Sequence, residues 1–270
     1  MKSNNLSISI PNKGCNKNCP YCISKITGYM KSNNDVFYRN ILKVKNYAKL
    51  ANVSSISLTG KGEPLLNMPD LTLLIKTFNE FPVELQTNGI LLNKDTIKTL
   101  YNCGLDVIAI SIDDGWFYSD ELKEIIANIK ETGMTARLTI NITSNTNLMT
   151  YSFNEFVDQI KKLDADQFSF RKIVSPSNAD INDSTVIWIN KNVDNSYEQL
   201  INEFKNFKDN FREIRKLPYG ATVYDVKGIS FTYFDYCIQD TNNTEDIRSL
   251  IYMEDGHLYT SWDSKASRLF

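Results

Sequence analysis

From residue 6 to residue 171 the chain alternates short runs of β-branched and apolar residues with longer stretches whose apolar positions repeat at helical period. Six strands are predicted: Leu6–Ile10, Ser55–Thr59, Val83–Gln86, Val107–Ile112, Ala136–Asn141 and Gln167–Arg171. Between them Val36, Phe37, Ile41, Leu42, Val44, Tyr47 and Ala48 share one helical face, as do Leu122, Ile125, Ile126 and Ile129. Gly104 and Gly133 stand where helix-ending glycines belong, and Ser152 with Glu155 forms a capping box ahead of Phe156, Val157, Ile160 and Leu163. Successive βα units without a reversal predict an α/β fold with parallel strands, read as part of a barrel whose chemistry lies at the C-terminal ends of its strands.

Beyond Arg171 the pattern changes. Residues 172 to about 194, with Pro176 and many Asn, Asp and Ser, read as an irregular connection, and Tyr197–Phe211 reads as one amphipathic helix. Two hairpins follow: Ala221–Val226 and Ile229–Tyr236 around Lys227-Gly228, then Leu250–Met253 and His257–Trp262 around Glu254-Asp255-Gly256. The chain is thus expected to divide into a core, residues 1–175, and a C-terminal helix and β-hairpin extension, residues 176–270. That extension, rich in aromatic residues, is expected to cover the barrel and contribute to the substrate site.

Composition narrows the class without choosing a chemistry. At 270 residues, 42% hydrophobic and 23% charged, the chain can bury a sizeable core. No apolar run reaches the roughly 18 residues needed to cross a bilayer, so no membrane role is expected. A net charge of −2 gives no general attraction to phosphate backbones. Five cysteines without an export signal point to a reducing, cytoplasmic compartment.

The chemistry is concentrated in Gly14-Cys15-Asn16-Lys17-Asn18-Cys19-Pro20-Tyr21-Cys22, three thiols within eight residues directly after the first strand. Thiolates hold iron–sulfur clusters, and a cubane held by three of them leaves one iron open to a small molecule. Structural zinc would need a fourth ligand, for which Cys103, Cys237 and His257 are the remaining candidates, none with a paired motif. Three clustered thiols also cannot pair evenly as disulfides. One strand later Gly60-Lys61-Gly62-Glu63-Pro64 makes a turn with two glycines and a carboxylate, where backbone can approach a ligand. Taken alone, such a turn reads as an ordinary βα loop.

Cys15-x-x-x-Cys19-x-Tyr21-Cys22, followed by Gly62-Glu63-Pro64, resembles the radical S-adenosylmethionine (radical SAM) enzymes over residues 5–175. The resemblance implies a partial (β/α)6, TIM-like barrel. It also implies that Cys15, Cys19 and Cys22 hold a [4Fe–4S] cluster whose fourth iron binds SAM, cleaved on reduction to methionine and a 5′-deoxyadenosyl radical. Gly60, Gly62 and Glu63 match the turn that receives the SAM amino group, although Lys61 separates glycines that are adjacent in many members. Tyr21 is the aromatic of the cysteine motif, and Thr87-Asn88-Gly89 resembles a frequent motif at the barrel top. Ser111 resembles a serine that contacts SAM, and on the fourth strand Ser111 and Asp113 alternate with apolar Ile110 and Ile112, so that both side chains are expected to face the barrel lumen. Arg137 is expected to pair with the SAM carboxylate, the alternative being a surface ion pair. A flavodoxin, ferredoxin or reductase would supply the electron.

The substrate stays open between a peptide and a nucleotide-type small molecule. Cys237, ending the aromatic run Phe231–Tyr236, is a candidate hydrogen donor of the kind used by radical SAM epimerases, its alternative being a buried structural cysteine. Cys103 reads as a small buried hydrophobe, and His257 as part of a hairpin face. A zinc or cluster module that binds a partner without catalysis is the reading from another class.

Overall fold

A computed structural model describes residues 2–28, 31–112, 119–143, 153–176, 179–193, 198, 202–204, 206, 211–217, 221–234 and 247–270. Two compact units are present, one formed by residues 1–18, 23–108 and 240–270, the other by residues 19–22 and 109–239.

The first unit is built on β1 (Ser3–Ser9), β2 (Ser55–Thr59) and β3 (Val83–Thr87), paired in parallel in the order β1-β2-β3. Its helices are α1 (Ile23–Thr27), α2 (Asn34–Leu50), α3 (Met68–Phe78) and α4 (Lys94–Cys103). Asn33 and Asn93 cap α2 and α4 by accepting the N–H groups of Val36 and Thr96, and Gly104 ends α4 in the left-handed region at φ 97°. The α2 face that is buried consists of Phe37, Ile41, Val44 and Ala48. Leu42, expected on that face, is 67% exposed, because its position points away from the Phe37–Ile41–Val44 stripe.

Within β4 (Val107–Ile112) the chain passes from the first unit to the second. There β5 (Thr135–Ile142) and β6 (Gln167–Lys172) pair in parallel, Arg137 opposite Gln167 and Asn141 opposite Arg171. Helices α5 (Asp120–Thr132) and α6 (Phe153–Lys162) alternate with them. Leu122, Ile125, Ile126 and Ile129 of α5 are all buried, and Gly133 ends it at φ 88°. Ser152 of the expected capping box lies outside the described residues.

The expectation of an irregular stretch from 172 to 194 is corrected by α7 (Ser184–Asn192). The Asp183 carboxylate accepts the N–H groups of Thr185 and Val186, and Val186, Ile189 and Val193 are buried. An N-cap with so short an apolar stripe is masked in the sequence by the polar residues around it. Most of Tyr197–Phe211 lies outside the described residues.

Both tail hairpins form, and each adds to a sheet. In the second unit β7 (Arg212–Lys216), β8 (Thr222–Val226) and β9 (Ile229–Phe234) run antiparallel, with Lys227 and Gly228 at positive φ in the two-residue turn. β9 then pairs in parallel with β6. In the first unit β10 (Ile247–Tyr252) pairs in parallel with β1 and antiparallel with β11 (Leu258–Tyr259). The β10–β11 turn docks on α2: a Cβ on Gly256, at φ 79°, would lie 2.5 Å from the Phe37 nitrogen. The result is a mixed α/β protein with largely parallel strands. Among the described residues no helix is long and apolar enough to cross a membrane.

Candidate active site

The loop leaving β1 is held from three sides before it reaches the first cysteine. The Asn67 amide donates to the Pro11 carbonyl at 2.8 Å and to Asp70 Oδ2 at 2.7 Å. Asn12 N–H donates to Glu254 Oε2 at 3.2 Å. Gly14 N–H donates to Asn12 Oδ1 at 2.8 Å, and its carbonyl accepts Glu63 N–H at 2.9 Å. The Gly60–Pro64 turn, which leaves β2, packs onto this loop. A Cβ on Gly62 would sit 2.2 Å from the Gly14 oxygen and 2.3 Å from Asn12 Oδ1, whereas one on Gly60 would meet nothing closer than 3.6 Å. Gly62 is therefore the glycine that the close approach requires.

Glu63 is 4% exposed and its carboxylate is engaged by protein. Oε1 accepts Leu65 N–H at 3.0 Å and the Thr87 hydroxyl at 2.5 Å; Oε2 accepts Asn88 N–H at 2.8 Å. The carboxylate thus binds the turn after β2 to the end of β3, a role that a reading from the sequence as an ammonium acceptor did not contain. From that end the Asn88 amide donates to Asn16 Oδ1 at 2.7 Å and reaches Cys15 Sγ at 4.0 Å. Lys17 N–H also donates to Cys15 Sγ, at 3.4 Å. Glu63, Asn88 and Cys15 belong to one hydrogen-bonded network.

Lys61, between the two glycines, reaches the residues at the end of α1. Its ammonium donates to the Gly28 carbonyl at 2.6 Å and the Thr27 hydroxyl at 3.1 Å, where α1 ends. Burial lowers its pKa, opposed by the charge of Glu254.

In the second unit Cys22 N–H donates to the Cys19 carbonyl at 3.3 Å, a turn that carries both thiols. Tyr21 between them lies against Trp188 of α7, ring centroids 5.6 Å apart and tilted by 42°. Ser111 is half-buried between buried Ile110 and Ile112 near the end of β4. Arg137 does not end its strand. It is the third residue of β5, about 16 Å of extended chain before Ile142, and its Nε donates to Gln167 Oε1 at 2.7 Å. Asp113 and Cys237 lie outside the described residues.

Three observations bear on whether this loop suits a cluster. Cys15, Cys19 and Cys22 all stand outside disulfides, exposed or half-exposed. Cys15 has two N–H donors facing its sulfur, the Lys17 backbone and the Asn88 amide. The glycine at 62 lets backbone crowd the loop from behind. The donor set fits. Cys103, by contrast, is buried in α4 as expected of a small hydrophobe. Sequence reasoning missed Glu254, read only as a turn residue, and Trp188, assigned to an irregular stretch; the signals were a carboxylate directly after the apolar run Leu250–Met253 and an N-cap aspartate at 183.

Residues 9–116 match the family model of the radical SAM superfamily. The GTP 3′,8-cyclase of Clostridium acetobutylicum is 35% identical over 112 residues, 40% of this chain and 34% of the cyclase. In structure the chain is similar to SuiB of Streptococcus suis bound to its precursor peptide SuiA, with a TM-score of 0.62 and 16% identity over 96% of this chain and 59% of SuiB. It is equally similar to anSMEcpe with bound AdoMet and a Cp18Cys peptide, with a TM-score of 0.62 and 16% identity over 98% of this chain and 75% of that one. The chain thus spans 34% of the cyclase and 59% of SuiB, and the structural likenesses, at 16% identity, speak for the fold. The matched segment contains both the three-thiol loop and the Gly60–Pro64 turn, and over residues 9–116 the chain is a radical SAM segment.

Proposed function

We propose that this chain cleaves S-adenosylmethionine at a [4Fe–4S] cluster held by Cys15, Cys19 and Cys22. When bound and reduced, such a cluster yields methionine and a 5′-deoxyadenosyl radical that abstracts a hydrogen atom from the substrate. The observation that carries the reading is the loop itself: three cysteines outside disulfides in eight residues, with the Asn88 amide and the Lys17 N–H directed at Cys15 Sγ. The chain's own residues present the thiolates and shape the rim. Gly62 allows the β2 turn to press on the loop, and Glu63 holds Asn88 in place. The backbone of Gly60–Gly62 is offered to the SAM amino group. Tyr21, packed on Trp188, fixes the turn between the second and third thiols. A flavodoxin, ferredoxin or reductase supplies the electron. The substrate class is a peptide or a nucleotide-type small molecule.

Anaerobic purification followed by metal analysis tests the reading. About four irons per chain and a brown chromophore are expected, lost on replacing Cys15, Cys19 or Cys22 by alanine and kept in Cys103→Ala. One zinc per chain, or full cluster content in Cys22→Ala, would overturn it.

A further inference from the structure

Glu254 sits in the turn between β10 and β11, in the last hairpin of the chain, and is 1% exposed. A buried carboxylate is costly unless donors surround it, and the donors here have a particular origin. Oε2 accepts Asn12 N–H at 3.2 Å and the Ser32 hydroxyl at 3.0 Å; Oε1 accepts the Ser9 hydroxyl at 3.3 Å. The Glu254 carbonyl accepts Asn33 N–H at 3.0 Å. Ser9 closes β1, Asn12 opens the cysteine loop, and Ser32 with Asn33 returns the chain to α2. One residue therefore holds both ends of the segment that carries Cys15, Cys19 and Cys22.

We infer that Glu254 is a positioning residue for the cluster loop: its carboxylate fixes the entry and the exit of residues 12–33, so that the thiols are presented in one arrangement before any metal arrives. This rests on the reading of that segment as the cluster loop. Had the role been to brace the sheet, the donors would be expected from strand residues, yet two of the three that reach the carboxylate come from the loop ends. Asn12 continues the constraint, because its side chain accepts Gly14 N–H one residue before Cys15. Lys61 adds ties to Thr27 and Gly28, within the electrostatic reach of Glu254. Fixing loop ends in advance removes ordering entropy that metal binding would otherwise have to overcome.

The experiment compares anaerobically reconstituted wild-type protein with Glu254→Ala, Glu254→Gln and Ser32→Ala. It follows iron per chain, the rate at which an iron chelator strips the cluster, and hydrogen exchange of residues 12–33 in the metal-free chain. Glu254→Ala should release iron at least about tenfold faster, the effect of losing even one of its three charged hydrogen bonds, and exchange faster across 12–33 while β2 and β3 keep wild-type protection. Glu254→Gln, which keeps the shape, should fall between, and Ser32→Ala should loosen chiefly the exit end. Wild-type release and exchange in Glu254→Ala would overturn the inference. Should that variant not fold, unchanged exchange in Ser32→Ala overturns it instead. A wild-type chain that takes up no iron overturns the proposed function, and exchange in the metal-free chain then still decides the part played by Glu254.

Discussion

The Glu63 carboxylate accepts the backbone N–H of Asn88 at 2.8 Å, and the Asn88 side chain in turn reaches Asn16 and Cys15. The turn after β2 and the end of β3 are thereby one piece, and that piece touches the cysteine loop. A carboxylate that accepts two backbone N–H groups and a hydroxyl is part of the scaffold whether or not it also meets a ligand.

Replacing Glu63 should therefore destabilise the metal-free protein. Hydrogen bonds to a charged group are worth roughly 1.5–3 kcal/mol, and the donors left behind at Leu65, Thr87 and Asn88 would be buried or half-buried without a partner. Glu63→Ala should lower unfolding stability by at least about 2 kcal/mol in denaturant titrations of cluster-free protein, and Glu63→Gln by less. Equal stability of wild type and Glu63→Ala, with SAM affinity alone reduced, would return Glu63 to a role confined to the ligand.

The two glycines of the turn should behave differently. A methyl group on Gly62 would collide with the Gly14 oxygen and Asn12 Oδ1, both held by other bonds, so the cysteine loop has to move. Overpacking of this kind costs about 1–3 kcal/mol. Gly60 has space for a Cβ. Iron incorporation should be severely reduced in Gly62→Ala and near wild type in Gly60→Ala; the reverse order would show that the turn approaches the loop through the other glycine.

What the sequence made legible was local. Strand runs such as Ser55–Thr59 and Val107–Ile112, the glycine stops at 104 and 133, and the Lys227-Gly228 turn each carry their signal within a few residues. The three thiols were legible for the same reason. What was not legible depends on distant partners. Nothing near Glu254 announces Ser9, 245 residues away, and nothing in Leu250–Met253 says that the strand will lie beside β1. Arg137 stands near the start of β5, and nothing near it in the sequence announces Gln167, the residue 30 positions on to which its Nε donates. The helix at Ser184–Asn192 was hidden because its cap and its polar flank use the same residue types as a loop.

Alkaline pH should expose the tyrosines that anchor the first unit. Burial, and then the hydrogen bond from its hydroxyl to Asp255 Oδ2 at 2.6 Å, push Tyr259 up to about 12. Tyr38, 40% exposed as a residue, donates to Asp70 Oδ1 and is likewise pushed up to about 12 by partial burial of its hydroxyl and then by Asp70, although solvent reduces what it contributes to stability. An unfolded tyrosine loses its proton near pH 10, so the stability these groups contribute is complete below pH 10 and is lost as pH rises from there towards 12. Urea unfolding of metal-free protein at pH 8 and pH 10.5 should show that loss, and Tyr259→Phe should show a smaller drop between the two. A steeper drop in the variant would contradict the assignment.

The final hairpin should be indispensable to the first unit. Its strand β10 pairs with β1 over five residue pairs from Ser3–Ile247 to Ile8–Tyr252. Leu250, Ile251, Tyr252, Met253, Leu258 and Tyr259 are all buried, and Tyr252 stacks on Phe37 with ring centroids 4.7 Å apart while its hydroxyl donates to the Phe37 carbonyl. Fully burying one such apolar side chain is worth about 1.5–3 kcal/mol, so removing six approaches or exceeds the roughly 5–15 kcal/mol by which a domain is stable. A chain ending at residue 239 should accordingly lose cooperative unfolding and retain no cluster, a stronger effect than removal of a substrate-covering flap would have. Circular dichroism melting and iron analysis of that truncation decide the matter. A folded truncation that still binds four irons would show that β1 needs neither β10 nor Glu254 to present the cysteine loop.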